Sequence, residues 1–125
     1  MSGQTPVAVL IVDDQAPFRR AARAVIAATP GFEVAAEAES GEDAVAVAHD
    51  LAPGLVLMDI NLPGINGIEA TRQIVAARPQ TVVVLLSTYR AEDLPPGADD
   101  CGAATYVNKE ELGPEVVEDL WARLA

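Results

Sequence analysis

Apolar and polar positions divide the chain into short segments of two alternating kinds. Five segments are compact, mainly apolar runs, of a length typical of buried strands. These runs cover residues 7–12, 32–38, 55–58, 81–86 and 104–107. Between them, apolar residues recur at helical spacing, which predicts helices. The predicted helices span residues 15–29, 40–51, 68–77 and 114–124. This alternation predicts one parallel sheet with helices on both faces and right-handed crossovers.

Local signals mark where several of these elements begin and end. Ser40 precedes an acidic turn and is predicted to cap a helix, because its hydroxyl can accept a hydrogen bond from an unpaired backbone N–H. Pro114 fits the first turn of the last helix, where its missing N–H is not needed. Residues 61–67 are rich in turn-forming Asn, Pro and Gly, so we expect a loop there.

The segment 91–102 occupies the place of a fourth crossover helix but carries Pro95-Pro96-Gly97. Proline lacks the backbone donor of a helix and restricts the residue before it. We therefore predict that the fourth helix is short, displaced or irregular. We also hypothesise that this segment is mobile.

Length and composition indicate one acidic domain. The 125 residues suit a single domain over 1–125, with a structured core over 6–125. Half of the residues are hydrophobic, so a substantial core can be buried. The formal net charge of −11 repels nucleic-acid phosphates and anionic lipids, and no basic cluster offsets it. Direct binding to nucleic acid or to a membrane is therefore not expected.

Two further features bear on the compartment. Cys101 is the only cysteine, so no intrachain disulfide can form, which fits a reducing environment. Residues 1–6 are polar and lack the basic start and apolar stretch of a signal peptide. A cytoplasmic protein is therefore expected.

Polar side chains follow four of the five predicted strands. They are Asp13 and Asp14 after the first strand, Asp59 after the third, Ser87 and Thr88 after the fourth, and Lys109 after the fifth. The carboxyl ends of parallel strands meet at one edge of a sheet, so these groups should share one rim. Each residue type is common, but their joint placement favours a functional site over a set of helix caps and surface charges.

Three carboxylates this close together repel one another, and a hard divalent cation answers that repulsion. Mg²⁺ (or Mn²⁺) fits, because it prefers oxygen ligands and often combines one or two carboxylates with phosphate oxygens. Asp14 and Asp59 are the predicted side-chain ligands, with the carbonyl of Asn61 as a third. Asp13 is predicted to hold metal-bound water.

A carboxylate can attack phosphorus to form an acyl phosphate when the incoming charge is neutralised. Asp59 closes the predicted central strand and is the candidate nucleophile. The Lys109 ammonium and the cation would flank the phosphoryl oxygens, where charge sits in the transition state. The Ser87 hydroxyl could donate to one of those oxygens.

Four stretches together resemble the receiver domain of bacterial response regulators. They are Val-Asp-Asp at 12–14, Leu-Met-Asp-Ile-Asn-Leu-Pro-Gly at 57–64, Leu-Ser-Thr at 86–88 and Gly-Ala-Ala-Thr-Tyr-Val-Asn-Lys at 102–109. The resemblance covers nearly the whole chain. It implies a (βα)₅ flavodoxin-like fold of class α/β. It also implies a two-component phosphorelay in which a histidine kinase or histidine phosphotransfer protein supplies the phosphate.

The resemblance also assigns roles to individual residues. Asp59 matches the phosphoacceptor, Asp13 and Asp14 the acidic pair, and Lys109 the phosphate-binding lysine. Ser87 matches the switch hydroxyl. Tyr106 matches the switch aromatic, which in the family turns inward and changes affinity for a downstream protein. Such a domain is no enzyme in the usual sense, since it catalyses only its own phosphorylation and slow dephosphorylation.

The sequence departs from the family pattern in two places. Lys109 is followed by Glu110 rather than the proline of many members, which concerns only the local peptide geometry. Pro95-Pro96 stands where the fourth helix belongs, so we expect the usual output surface to be remodelled.

Three other functions were weighed. A degenerate receiver would bind partners without phosphorylation, but all the phosphorylation residues are present. A haloacid-dehalogenase-like phosphatase would place its nucleophile in an Asp-x-Asp on the first strand. A flavodoxin would offer hydroxyls and glycines, not Asp13-Asp14, to the flavin phosphate. The chain is either a stand-alone receiver or part of a regulator that continues into a helix-turn-helix domain.

Overall fold

Five parallel strands of the described residues form one sheet. They are β1 (Val7–Val12), β2 (Phe32–Ala38), β3 (Leu55–Asp59), β4 (Val82–Ser87) and β5 (Thr105–Asn108). Their order across the sheet is β2-β1-β3-β4-β5. The computed structural model describes residues 5–124. Most of the N-terminal segment 1–6, and the last residue of the expected core, Ala125, therefore lie outside the described residues. The strand order is that of a flavodoxin-like sheet, so the predicted class is confirmed.

Among the described residues, four α-helices cover the sheet: α1 (Ala16–Ala27), α2 (Gly41–Leu51), α3 (Gly67–Ala77) and α4 (Pro114–Leu124). The residues of β1 alternate between two apolar clusters, one on each face of the sheet. Val9 and Ile11 pack with residues of α1 and α4, whereas Leu10 and Val12 pack with residues of α2 and α3. A strand buried on both faces must be apolar throughout, which explains the unbroken run of apolar residues in β1.

Side-chain caps mark where two of the helices, α2 and α3, begin. Ser40 Oγ accepts a hydrogen bond from Asp43 N at 3.1 Å, which confirms the predicted cap of α2. Asn66 Oδ1 accepts from Glu69 N at 2.9 Å, so Asn66 caps α3 although its sequence context indicated only a turn. α1 ends at Ala27, two residues before the predicted end. No helix among residues 5–124 combines the length and apolar character that a membrane span needs.

Between β4 and β5 there is no α-helix. One turn of 3-10 helix spans Ala91–Asp93 and is followed by turns, as Pro95-Pro96 predicted. Two of the few local backbone hydrogen bonds beyond it, from Ala98 N and Asp100 N, are long, at 3.3 Å each. The two prolines contribute no donor of their own. The segment therefore has little of the hydrogen bonding that holds a regular helix closed.

We predict that backbone amides of residues 91–102 exchange with solvent deuterium at least about ten times faster than those of α3, because local opening breaks few hydrogen bonds there. Hydrogen exchange followed by mass spectrometry or NMR measures both segments in one experiment, and α3 is the internal control. Strong protection across residues 93–101 would contradict the hypothesis that this segment is mobile.

Candidate functional site

The site lies where the chain reverses direction across the sheet. β1 pairs with β2 on one side and with β3 on the other, so the strand order reverses at β1. The helix α1, which connects β1 to β2, and the helix α2, which connects β2 to β3, pack on opposite faces of the sheet. A crevice therefore opens beyond the carboxyl ends of β1 and β3. Asp13 follows β1 directly, and Asp59 is the last residue of β3. The topology alone brings these two carboxylates together.

Three aspartates of the predicted metal site form one acidic cluster. Asp13, Asp14 and Asp59 each offer a carboxylate oxygen, and the three oxygens all lie within 4.8 Å of one another. Asp13 is fully buried and Asp59 is 4% exposed, whereas Asp14 is exposed at the mouth of the crevice. Two charged oxygens are thus removed from water, while a third remains accessible to it. Such a set of hard oxygen donors matches the ligand preference of Mg²⁺.

Lys109 reaches this cluster from the end of β5. Its Nζ lies 2.6 Å from Asp13 Oδ2 and 3.4 Å from Asp59 Oδ1. The ammonium also lies 4.5 Å from the centroid of the Phe18 ring, which supplies an apolar wall on the α1 side. One ammonium thus bridges two buried carboxylates, and a buried carboxylate without such a partner would be strongly destabilising.

The presence of Glu110, and not proline, after Lys109 is explained by a hydrogen bond from its backbone N–H. Asn108 Oδ1 accepts a hydrogen bond from Glu110 N at 2.9 Å and caps the 3-10 turn Lys109–Glu111. A proline at position 110 has no N–H and could not donate this bond. The backbone N–H of Glu110 therefore allows the Asn108 side chain to cap this turn.

The surroundings of Asp59 shift its pKa. Burial raises the pKa of Asp59 from its ordinary 3.8 to about 6, and the neighbouring Asp13 charge adds to the rise. The charge of Lys109, its hydrogen bond and a backbone hydrogen bond from Asn61 act in the opposite direction but do not cancel it. The negative charge at Asp59 is therefore incompletely balanced by the protein alone.

The loop that carries Asp13 and Asp14 is held by two contacts. Gln15 N donates to Asp13 Oδ1 at 2.7 Å, and Arg19 Nη1 donates to the backbone oxygen of Asp13 at 2.7 Å. Arg19 is itself paired with Glu37 of β2 at 3.3 Å. Arg19 could not be identified from the sequence, because nothing in the spacing of residues shows that a helix arginine reaches back to a strand end.

Asn61 lines the crevice together with Asp14, Thr88 and Lys109. Its side chain is exposed, and its Nδ2 lies 3.5 Å from the hydroxyl of Tyr89. The turn that follows is tight, since Gly67 N donates to Ile60 O at 2.8 Å. A side chain at Gly67 would collide with the backbone oxygen of Asp59, so glycine is required there by space.

Ser87 and Tyr106 meet at the carboxyl end of β4. Ser87 is buried, and its Oγ accepts a hydrogen bond from Tyr89 N at 3.2 Å. The half-buried Tyr106 hydroxyl contacts the backbone oxygens of Ser87, at 2.9 Å, and Tyr89. Asn108 Nδ2 donates to the same Tyr89 oxygen at 3.3 Å. The aromatic and the hydroxyl are thus connected through the backbone that leaves β4.

An acidic crevice with one lysine, at the reversal point of a β2-β1-β3-β4-β5 sheet, defines a flavodoxin-like domain of the receiver class. Residues 9–120 match the family described as response regulator receiver domain. The chain belongs to the receiver domains of two-component response regulators, and the resemblance found in the sequence is confirmed. Such domains are signalling switches rather than classical enzymes.

Individual relatives agree with this assignment. The transcriptional regulatory protein DegU of Brevibacillus brevis is 35% identical over 115 residues, which is 92% of this chain and 49% of that protein. A LuxR-family response regulator from Aurantimonas is 31% identical, with a TM-score of 0.85, over 96% of this chain and 86% of that chain.

A third match is the structure titled as the CheX-CheY-BeF3-Mg+2 complex of Borrelia burgdorferi. It is 26% identical, with a TM-score of 0.83, over 95% of this chain and 89% of that chain. The chain spans about half the length of the curated relatives it matches. Membership of the receiver family leaves no support for the phosphatase and flavodoxin alternatives.

We predict that Asp59→Asn stabilises the metal-free domain at neutral pH. Because the pKa of Asp59 is higher in the folded state than its ordinary 3.8, the folded state binds more protons between pH 3.8 and about 6, and stability falls as pH rises through this window. The difference corresponds to at most about 3 kcal/mol above pH 6. Asparagine removes this penalty, and the effect should disappear near pH 4.

Urea denaturation in EDTA at pH 4 and pH 7.5 measures the difference between variant and parent at each pH. Asp99→Asn, an exposed aspartate outside the crevice, is the matched control and should show little change at either pH. An equal gain for Asp59→Asn at both pH values would contradict the raised pKa as its cause.

Proposed function

We propose that this domain is a phosphoacceptor switch that takes a phosphoryl group on Asp59 from a histidine kinase or histidine phosphotransfer protein. The observation that carries the proposal is the meeting of Asp13, Asp14 and Asp59 with the Lys109 ammonium in one crevice. This set supplies a nucleophile, metal ligands and a cation for the phosphoryl group. Membership of the receiver family supports the same function.

Receiver domains bind Mg²⁺ at an acidic pocket, and the donor set of this chain fits that ion. Asp14 and Asp59 would hold it through carboxylate oxygens, Asn61 through its carbonyl, and Asp13 through bound water. Mn²⁺ has the same preference for oxygen and would substitute. When bound, the cation would neutralise charge on the transferred phosphoryl oxygens. The Borrelia burgdorferi neighbour, whose title names BeF3 and Mg+2, supports this choice.

The chemical step uses residues of the chain in distinct roles. An Asp59 oxygen attacks phosphorus, the new P–O bond forms, and the P–N bond to the donor histidine breaks, leaving the imidazole to take a proton. With a pKa of about 6, Asp59 is mostly ionised at neutral pH, which is the form that attacks. Lys109 would turn its ammonium from Asp13 to a phosphoryl oxygen, and Ser87 would donate its hydroxyl to another.

The output step would follow from the bonds around Ser87. If Ser87 Oγ turns to the phosphoryl group, it loses its hydrogen bond from Tyr89 N. The backbone oxygens of Ser87 and Tyr89 would shift with it, and Tyr106 is bonded to both. Burial, and then the nearby Glu111 charge, raise the pKa of Tyr106, so its hydroxyl stays neutral and able to donate. Tyr106 would thus carry the change to the surface that a downstream protein recognises.

The compartment and the partners follow from this role. A cytoplasmic location is proposed, because the phosphoryl donor has to reach the crevice. Relatives such as DegU are transcriptional regulators by name, but this chain corresponds to about half of that protein. The net charge of −11 argues that any contact with DNA is made elsewhere and that this domain contacts proteins. A receiver that binds partners without phosphorylation is the competing function, and the following experiment separates the two.

We predict that acetyl phosphate with Mg²⁺ adds one phosphoryl group to the intact chain, detected by rapid mass spectrometry. Asp59→Asn should take none, because asparagine cannot form the acyl phosphate. EDTA should prevent the gain in the parent, since the charge of the incoming group would then be unbalanced. Asp99→Asn should be phosphorylated like the parent.

A folded parent that gains no phosphoryl group in Mg²⁺ or Mn²⁺ would favour the binding module and remove Asp59 from its role. Phosphorylation of Asp59→Asn to the same extent as the parent would place the acceptor elsewhere.

A further inference from the structure

The ring of Phe18 is the third contact of the Lys109 ammonium, beside its two carboxylate partners. Nζ lies 4.5 Å from the ring centroid, within the range of cation–π attraction. The Lys109 side chain is only 16% exposed, so little water competes with this contact. Phe18 lies in the first turn of α1.

We propose that Phe18 is a positioning residue that holds the Lys109 ammonium at the crevice while its hydrogen-bond partners change. This inference rests on the proposed function. In the phosphorylation step Lys109 must leave Asp13, at 2.6 Å in this structure, and turn to a phosphoryl oxygen. The phenyl face attracts the ammonium throughout this change and accepts no conventional hydrogen bond from it. The full positive charge therefore stays available to the phosphoryl group.

A third carboxylate in the position of Phe18 would work less well. It would neutralise the ammonium and compete with the phosphoryl oxygens for its N–H groups. An aliphatic side chain would fill space but offer no attraction to a cation. An aromatic ring is the side chain that attracts the cation without consuming its charge.

The placement of Phe18 also differs from that of a residue needed only for packing. Ala22 and Ile26, one and two turns further along α1, are fully buried and complete the core on this face. Phe18 is partly exposed at the rim of that cluster. Its neighbour Arg19 holds the backbone of Asp13 at 2.7 Å. Two consecutive residues of α1 therefore hold the two members of one ion pair, Phe18 the lysine and Arg19 the aspartate.

The test compares Phe18→Leu, which keeps an apolar side chain, with Phe18→Tyr, which keeps the ring. The rate of phosphorylation by acetyl phosphate and Mg²⁺ should fall about three- to tenfold in Phe18→Leu, the range expected for loss of a partly desolvated cation–π contact. Phe18→Tyr should stay within about twofold of the parent. Mg²⁺ affinity, measured by calorimetry without phosphate, should not change in either variant, because the proposed metal ligands are untouched.

Two further measurements separate positioning from general packing. Protons on Lys109 Cε should show an upfield ring-current shift by NMR in the parent and in Phe18→Tyr, and lose it in Phe18→Leu. Phe32→Leu is the matched control, since its ring packs against Trp121, 5.8 Å away, at the opposite end of the sheet. It should leave the phosphorylation rate unchanged at a temperature where all variants are folded.

The outcomes distinguish failure of the positioning role of Phe18 from failure of the proposed phosphoacceptor function. If the parent is phosphorylated and Phe18→Leu matches its rate, the positioning role is wrong while the proposed function stands. Equal slowing of Phe18→Leu and Phe18→Tyr, or a loss of Mg²⁺ affinity that accounts for the slowing, would also overturn the positioning role. A parent that takes no phosphoryl group overturns the proposed function and this inference with it.

Discussion

The charge balance between Lys109 and two buried aspartates is the constraint on which the rest of the site depends. Lys109 Nζ lies 2.6 Å from Asp13 Oδ2 and 3.4 Å from Asp59 Oδ1, and both carboxylates are buried. These residues come from the ends of three different strands, so the pairing can form only when the sheet has its native order. The same interaction therefore ties the topology of the domain to its chemistry.

The positive charge of Lys109 does not balance all of the negative charge in the crevice, and this difference bears on what the crevice can bind. Three carboxylates face one ammonium, and the pKa of Asp59 is raised first by burial and then by the neighbouring Asp13 charge. An incoming phosphoryl group would add to that charge and be repelled. A divalent cation would be attracted by the acidic cluster, and its positive charge would in turn attract the phosphate oxygens. Under the proposed function, phosphorylation of Asp59 would therefore depend on a metal ion.

The parts of this arrangement that the sequence could predict are those set by topology. Apolar runs ending in Asp59 and Lys109 located the strands, and parallel strands must bring their ends to one edge. Arg19 and Phe18 could not be found in this way, because their roles depend on where helix side chains reach in space. The cap of α3 by Asn66 could not be predicted either, since capping and turn residues are the same types and only the hydrogen bond from Glu69 N distinguishes them.

The absence of an α-helix between β4 and β5 bears on how a conformational change can leave the crevice. The backbone after Ser87 enters a segment that has one 3-10 turn and long local hydrogen bonds. Such a segment cannot move as one rigid unit in the way that an α-helix can. A displacement at Ser87 would therefore pass mainly through the oxygens to which Tyr106 is bonded, and not through a helix axis. Since Tyr106 belongs to β5, the change would reach the surface at β5 and at the turn leading into α4. Under the proposed function, a downstream protein would then recognise that edge of the sheet.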